Sequence, residues 1–187
     1  GLFDLQRGCW AEELLSYLGI RAEQLPEAFP PGNTMGRVSE EAAQACGLPV
    51  GLPVIAGVGD GQAGGAGAGV VNAGQAYLTL GTSVVCGTHS DTYIVDRAFR
   101  TMLSAVPNIF SLETVILGGA YTLAWFAEHL GGESSDIAEL TRRYEAAIEE
   151  IPPGAEGLLL VPYWNSAMNP YWDPLASGIV VGWRGVH

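Results

Sequence analysis

From Gly61 to Gly69 the chain carries, Gln62 apart, nothing larger than a methyl group. Such a segment cannot build a core from its own side chains. As a helix it is intrinsically weak, because each glycine costs about 1 kcal/mol against alanine. What it permits is close approach of its backbone to a neighbour or a ligand. An apolar run, Val54-Ile55-Ala56-Gly57-Val58, leads into it through Gly59 and a single carboxylate, Asp60. Beyond it, after the turn signal Asn72-Ala73-Gly74, comes Tyr77-Leu78-Thr79-Leu80, then Gly81-Thr82-Ser83, then Val84-Val85. One piece offers a base and the other a hydroxyl-lined turn, and phosphoryl transfer to an alcohol needs both a base and an anion cradle.

Charge narrows the partners. Twenty acidic residues face eight basic ones, for a net charge of −12, and every basic residue is arginine. A surface of that sign repels nucleic acid and anionic lipid, so neither is expected as a partner. A P-loop sets a lysine against the β- and γ-phosphates; a chain without lysine must hold nucleotide another way. Hydrophobic residues make up 48% of the chain, enough for a substantial core. Cys9, Cys46 and Cys86 are far apart, without metal-ligand spacing, and read as reduced, mostly buried thiols of a cytoplasmic protein. No signal peptide and no membrane-spanning run is visible. The chain starts on Gly1 and ends on His187, and it reads as a piece of something longer.

Periodicity and punctuation give a coarse map. Helical spacing is expected over residues 10–18, with Leu14, Leu15 and Leu18 on one face and Gly19 ending it. A second helix should start from Ser39 as N-cap and close at Gly47. Residues 26–36, rich in proline and glycine, read as a connector, 54–58 as a buried strand and 61–71 as a helix. Strands are expected at 76–80, 84–87, 93–95, 102–106 and near Phe110, then helices at 121–130 and 136–151, then strands at 158–161 and 179–181. This order indicates an α/β chain. The turn at 72–74 is the expected boundary between two parts, 1–73 and 74–187.

Gly59-Asp60-Gly61-Gln62-Ala63-Gly64 matches GxGxxG after a strand. Two features oppose a dinucleotide site: an aspartate where a pyrophosphate would sit, and no acidic residue at the end of the next strand. Asp60 itself admits two readings, an N-cap for the following helix or a carboxylate that takes a proton from an attacking hydroxyl. Gly81-Thr82-Ser83 is either an ordinary hairpin turn or a cradle for phosphate oxygens. Gly118-Gly119-Ala120, opening a helix, is either a close-packing site or a helix end beside nucleotide. Tyr163-Trp164 and Tyr171-Trp172 read as buried aromatic packing. His89, His129 and His187 share no metal spacing and read as incidental, and Glu133, Glu139, Glu145, Glu149 and Glu150 as a solvated helix face and its approach.

In combination and in this order, these motifs resemble the FGGY family of carbohydrate kinases, nearest its xylulokinase-like branch. Leu2-Phe3-Asp4-Leu5 with Trp10 resembles the approach to the second half of the family's first domain. Gly57-Val58-Gly59-Asp60 resembles its catalytic loop, Leu80-Gly81-Thr82-Ser83 the phosphate-contacting turn of its second domain, and Gly118-Gly119-Ala120 a helix start beside nucleotide. The resemblance implies an actin-like, ribonuclease-H-like α/β fold in parts of two domains. It also implies ATP with Mg²⁺ and a sugar as small-molecule partners, and a homodimer as a candidate assembly. Asp60 would be the base; Gly81, Thr82, Ser83 and Gly119 would contact ATP; and no metal ligand is assigned within the chain. The fragment alone would be inactive, since further site residues of the family fall outside it. The loop Asn165-Ser166-Ala167-Met168-Asn169-Pro170 departs from the xylulokinase pattern, which leaves the particular sugar open.

Overall fold

The computed structural model of the protein describes residues 1–130 and 136–185, so Glu133 and His187 lie outside the described residues. An antiparallel pair, β1 (Phe3–Asp4) and β2 (Cys9–Trp10), leads into α1 (Glu12–Leu18) and a 3₁₀ turn at Ala22–Gln24. There follow β3 (Thr34–Arg37), α2 (Glu40–Cys46), β4 (Pro53–Ile55) and α3 (Asp60–Gly67). Next come β5 (Ala76–Leu80), β6 (Val84–Ser90), β7 (Arg100–Leu103) and β8 (Phe110–Ile116), which form a four-stranded sheet in the order β5-β6-β8-β7. The chain continues through α4 (Ala120–Leu130), α5 (Ile137–Ile148) and a 3₁₀ turn at Ala155–Gly157 to the antiparallel pair β9 (Leu159–Val161) and β10 (Ile179–Val181). Among the described residues no helix is long and apolar enough to cross a membrane.

Helix ends follow local chemistry. Gly19 and Gly47 adopt left-handed φ of 68° and 72°, which end α1 and α2 where a side chain would be strained. The Ser39 hydroxyl accepts the Ala42 amide at 3.2 Å, and the Asp136 carboxylate accepts those of Ala138 and Glu139 at 2.9 and 3.2 Å. Each cap satisfies an amide that the helix leaves without a partner.

Strands depart further from the sequence reading. Thr34–Arg37, expected within a connector, pairs with β4, and Ala56 N–H closes the ladder onto the Asn33 carbonyl at 2.8 Å. Long-range pairing overrides the turn-rich composition here. The expected buried strand at 54–58 ends at Ile55, and Val54 and Ile55 are exposed while Ala56 is buried. Residues 93–95 form no strand; Tyr93 instead packs edge-on against Phe110, with ring centres 5.4 Å apart.

The chain divides into two compact units. The first comprises Gly1–Tyr77, Thr88–Ile94 and Thr101–Leu112; the second comprises Leu78–Gly87, Val95–Arg100 and the chain from Glu113 onward. Leu15, Ala43, Ala56, Val70 and Tyr77 are buried in the first, with Gln62, His89, Ser104 and Ser111. Val115, Ala127, Leu140 and Ala167 are buried in the second, with Glu113, Thr122 and Asn169. Glu113 is 1% exposed, and its Oε2 accepts hydrogen bonds from Arg100 Nη2 at 2.8 Å and Nε at 3.2 Å. A buried carboxylate needs such a partner to stay charged.

His89 was read as incidental, yet it is a core residue of the first unit. Its Nε2 lies 3.2 Å from Ser104 Oγ, which already accepts the Val106 amide at 3.0 Å. His89 Nε2 and Ser104 Oγ thus share a hydrogen bond inside the unit. Burial lowers the His89 pKa from its usual 6.5, since the charged ring loses hydration. The unfolded chain thus binds more protons than the folded one as pH falls below 6.5, so stability is lost on acidification through that region. Thermal melts of the whole protein carrying this chain should show Tm falling from pH 7.5 to 5.5. His89→Gln should flatten that slope, and an unchanged slope would remove His89 as its source.

Candidate active site

Asp60 is the first residue of α3, with Gly59 in the capping position, so the cap reading from sequence is shifted by one residue. The carboxylate does not cap across a turn. Its Oδ1 accepts the amide of the next residue, Gly61, at 2.9 Å, and the side chain is exposed. A negative charge in the first turn also suits the helix dipole. Its Oδ2 accepts no hydrogen bond from the described residues, which leaves an oxygen free to receive a proton. Gln62, two residues on, was passed over in the sequence reading. It is buried, and its signal was present: it is the one long side chain in a glycine and alanine run.

The other four candidates come together in the second unit. Gly81 N–H donates to the Ser83 carbonyl at 3.1 Å, which closes the turn between β5 and β6. The start of α4 docks on that turn through its backbone. Gly119 N–H donates to Thr82 O at 3.1 Å, Ala120 N–H to Gly81 O at 2.8 Å and Tyr121 N–H to Thr82 O at 3.4 Å. A Cβ on Gly119 would lie 2.5 Å from Gly81 O and 3.1 Å from Thr82 O, and one on Gly118 would overlap the Pro162 carbonyl. Close packing is thus realised at both glycines, and these amides of α4 face the turn's carbonyls. The Thr82 and Ser83 hydroxyls form no hydrogen bond within the described residues, and Thr82 is exposed. An apolar cavity of about 270 Å³ lies alongside, lined by Leu80, Gly81, Val84, Gly119, Ala120 and Leu123.

Two expectations are corrected. All three cysteines are exposed: Cys9 on β2, Cys46 at the end of α2 and Cys86 on β6. The aromatic loop is also split. Trp164 packs near Trp125 and Phe126, with ring centres 5.5 and 5.4 Å away, over the bare backbone of Gly178. Tyr171 and Trp172 are 61% and 43% exposed; Trp172 is held by its indole N–H donating to the Arg97 carbonyl at 2.8 Å. His129 stacks on Trp125 at 4.7 Å.

Residues 1–67 match the N-terminal domain of the FGGY family of carbohydrate kinases. The chain is 30% identical over 186 residues to the xylulose kinase of Escherichia coli (strain K12), covering 98% of this chain and 37% of that protein. It is 31% identical over 175 residues to an autoinducer-2 kinase of Yersinia pestis (strain Pestoides F), covering 90% and 33%. The crystal structure of a xylulose kinase from Rhodospirillum rubrum superposes with a TM-score of 0.84 at 29% identity, over 100% of this chain and 37% of that one. The fold is therefore the α/β, actin-like ATPase fold, and the chain spans little more than a third of the length of these relatives.

The docking at Gly119 carries a direct consequence. Gly119→Ala sets a methyl group against backbone that cannot rotate away, so the turn or the helix must shift. Overpacking of this kind costs about 1–3 kcal/mol. Denaturant unfolding of the whole protein should show that loss, whereas Ala120→Ser, on the exposed neighbour, should leave the midpoint in place. Equal midpoints for Gly119→Ala and the parent would mean that the close approach is not tight.

Proposed function

We propose, from the premise that this chain belongs to the FGGY family of carbohydrate kinases, that the whole protein carrying it transfers the γ-phosphoryl group of ATP to a sugar hydroxyl. D-Xylulose or a related pentulose is the favoured acceptor. The observation that carries this reading is the match to xylulose kinases over 98–100% of the chain, with Asp60 at the start of α3. The domain assignment goes with it: residues 1–73 as the later part of a sugar-binding domain, and 74–187 as the earlier part of a nucleotide-binding one.

In this reading the sugar hydroxyl oxygen attacks the γ-phosphorus, the bond from that phosphorus to the β,γ-bridging oxygen breaks, and ADP leaves. Asp60, through Oδ2, takes the hydroxyl proton. Such general-base help is worth about 10²–10⁴ in rate. The Thr82 and Ser83 hydroxyls donate to phosphate oxygens, Gly81 lets the nucleotide approach the backbone, and Gly119, packed against the turn, lies near it. Most of the remaining catalysis is positioning and charge stabilisation. Among the described residues no three His, Cys, Asp or Glu side chains gather as a metal site. Mg²⁺ arriving with ATP would neutralise phosphate charge. With little more than a third of its relatives' length, the chain by itself is expected to turn over no ATP.

The deciding measurement is ADP release by the whole protein with Mg-ATP across a panel of ketoses and polyols. We expect a pentulose-dependent signal that Asp60→Asn lowers by about 10²–10⁴. A signal with glycerol or another polyol instead would keep the kinase and change its acceptor. Undiminished turnover by Asp60→Asn would remove Asp60 as the base. ATP binding without turnover on any acceptor would favour a non-catalytic actin-like module.

A further inference from the structure

The helix that carries Asp60 has little of its own to hold it. Four of the eight residues of α3 are glycine, and Gln62 is its one long side chain apart from Asp60. Its position must come from contacts made elsewhere in the first unit, and Tyr77 and Met102 supply such contacts. The Tyr77 ring, from β5 and 7% exposed, lies on the bare backbone of Gly65. A Cβ at Gly65 would fall 2.6 Å from Tyr77 Cδ1 and 2.7 Å from Cε1. Gln62, 6% exposed, folds back over Gly59, where a Cβ would overlap its Oε1, and its Nε2 reaches Met102 Sδ at 4.0 Å.

Helical geometry says what these contacts do. At about 100° per residue, Gln62 and Gly65 lie about 200° and 140° round the axis from Asp60. Both contacts therefore grip the face opposite the carboxylate, in keeping with a buried back and an exposed Asp60. We propose that Tyr77 and Gln62 are positioning residues for Asp60, holding the rear face of α3 by the Tyr77 ring on Gly65 and by Gln62 against Met102, and so fixing where the carboxylate points. This rests on the reading of Asp60 as the base. Neither side chain needs to touch substrate. A base displaced by about 1 Å can lose about 10²-fold in rate, and a glycine-rich helix offers few side chains of its own to hold that tolerance.

The test uses the whole protein, with kcat measured for the parent, Gly65→Ala, Asp60→Asn and the double variant on one accepting sugar. ATP-binding stoichiometry and Tm are measured on each. We expect Gly65→Ala to lower kcat about 10- to 100-fold with ATP stoichiometry unchanged. In the Asp60→Asn background the same change should have no further effect, because the group being positioned is gone. Tyr77→Leu, which removes the ring from behind the helix, should repeat the pattern and carries the test if Gly65→Ala does not fold. Equal losses in both backgrounds would make the contact merely structural and overturn the proposal, as would a parental kcat in both Gly65→Ala and Tyr77→Leu. Full activity of Asp60→Asn alone would instead overturn the assignment of the base, an outcome distinct from failure of the clamp.

Discussion

Three amides at the start of α4 donate into the carbonyls of the Gly81–Thr82 turn, and the second unit's candidate site depends on that contact. Helix N-termini leave amides without intrahelical partners. Here they are satisfied by a turn rather than by a capping side chain, which requires backbone to lie against backbone. Only residues without a Cβ tolerate that distance, hence glycine at 118 and 119, with Pro162 behind the first and Gly81 behind the second. The turn is held through its carbonyls, while its hydroxyls take no part in that contact.

A rigid turn matters more in this chain than in one rich in lysine. Its net charge is −12, and no ammonium group is available to meet a phosphate. Neutral donors form hydrogen bonds roughly half as strong as charge-assisted ones, so an anion cradle of hydroxyls must rely on pre-organisation. A donor that needs no rearrangement when charge develops is the more effective one. In the proposed reading the α4 docking would supply that order at Thr82 and Ser83, and a cation arriving with the nucleotide would supply the charge.

What could be read from sequence was what local chemistry decides. Ser39 as a cap and Gly19 and Gly47 as helix stops all stand, because each acts within four residues of itself. The order of strands and helices was legible for the same reason. Misreadings occurred where a distant partner decides. Residues 34–36 look like connector until β4 pairs with them, and the cysteines look buried until the structure exposes all three. His89 lacked any motif, and its burial beside Ser104 comes from strands that the sequence does not place together. At the site, residue types were legible and their mutual contacts were not: Gly81 and Gly119 are 38 positions apart in sequence, and nothing local joins them.

The two close approaches, at Gly119 and at Gly65, are alike in origin and differ in what they tolerate. Gly119 faces carbonyl oxygens of a closed turn, atoms fixed by the hydrogen bonds that make the contact. Gly65 faces a side-chain ring, which can rotate or be replaced by something smaller. A methyl group at the first position has no partner able to yield, so its cost falls on the backbone. At the second, the cost falls on one rotamer and the space behind it, and a compensating change at Tyr77 can absorb it. The candidate cradle is thus built as a fixed part. The helix bearing Asp60 instead rests on a side chain, so in the proposed reading a change at Tyr77 would shift it without altering the carboxylate itself.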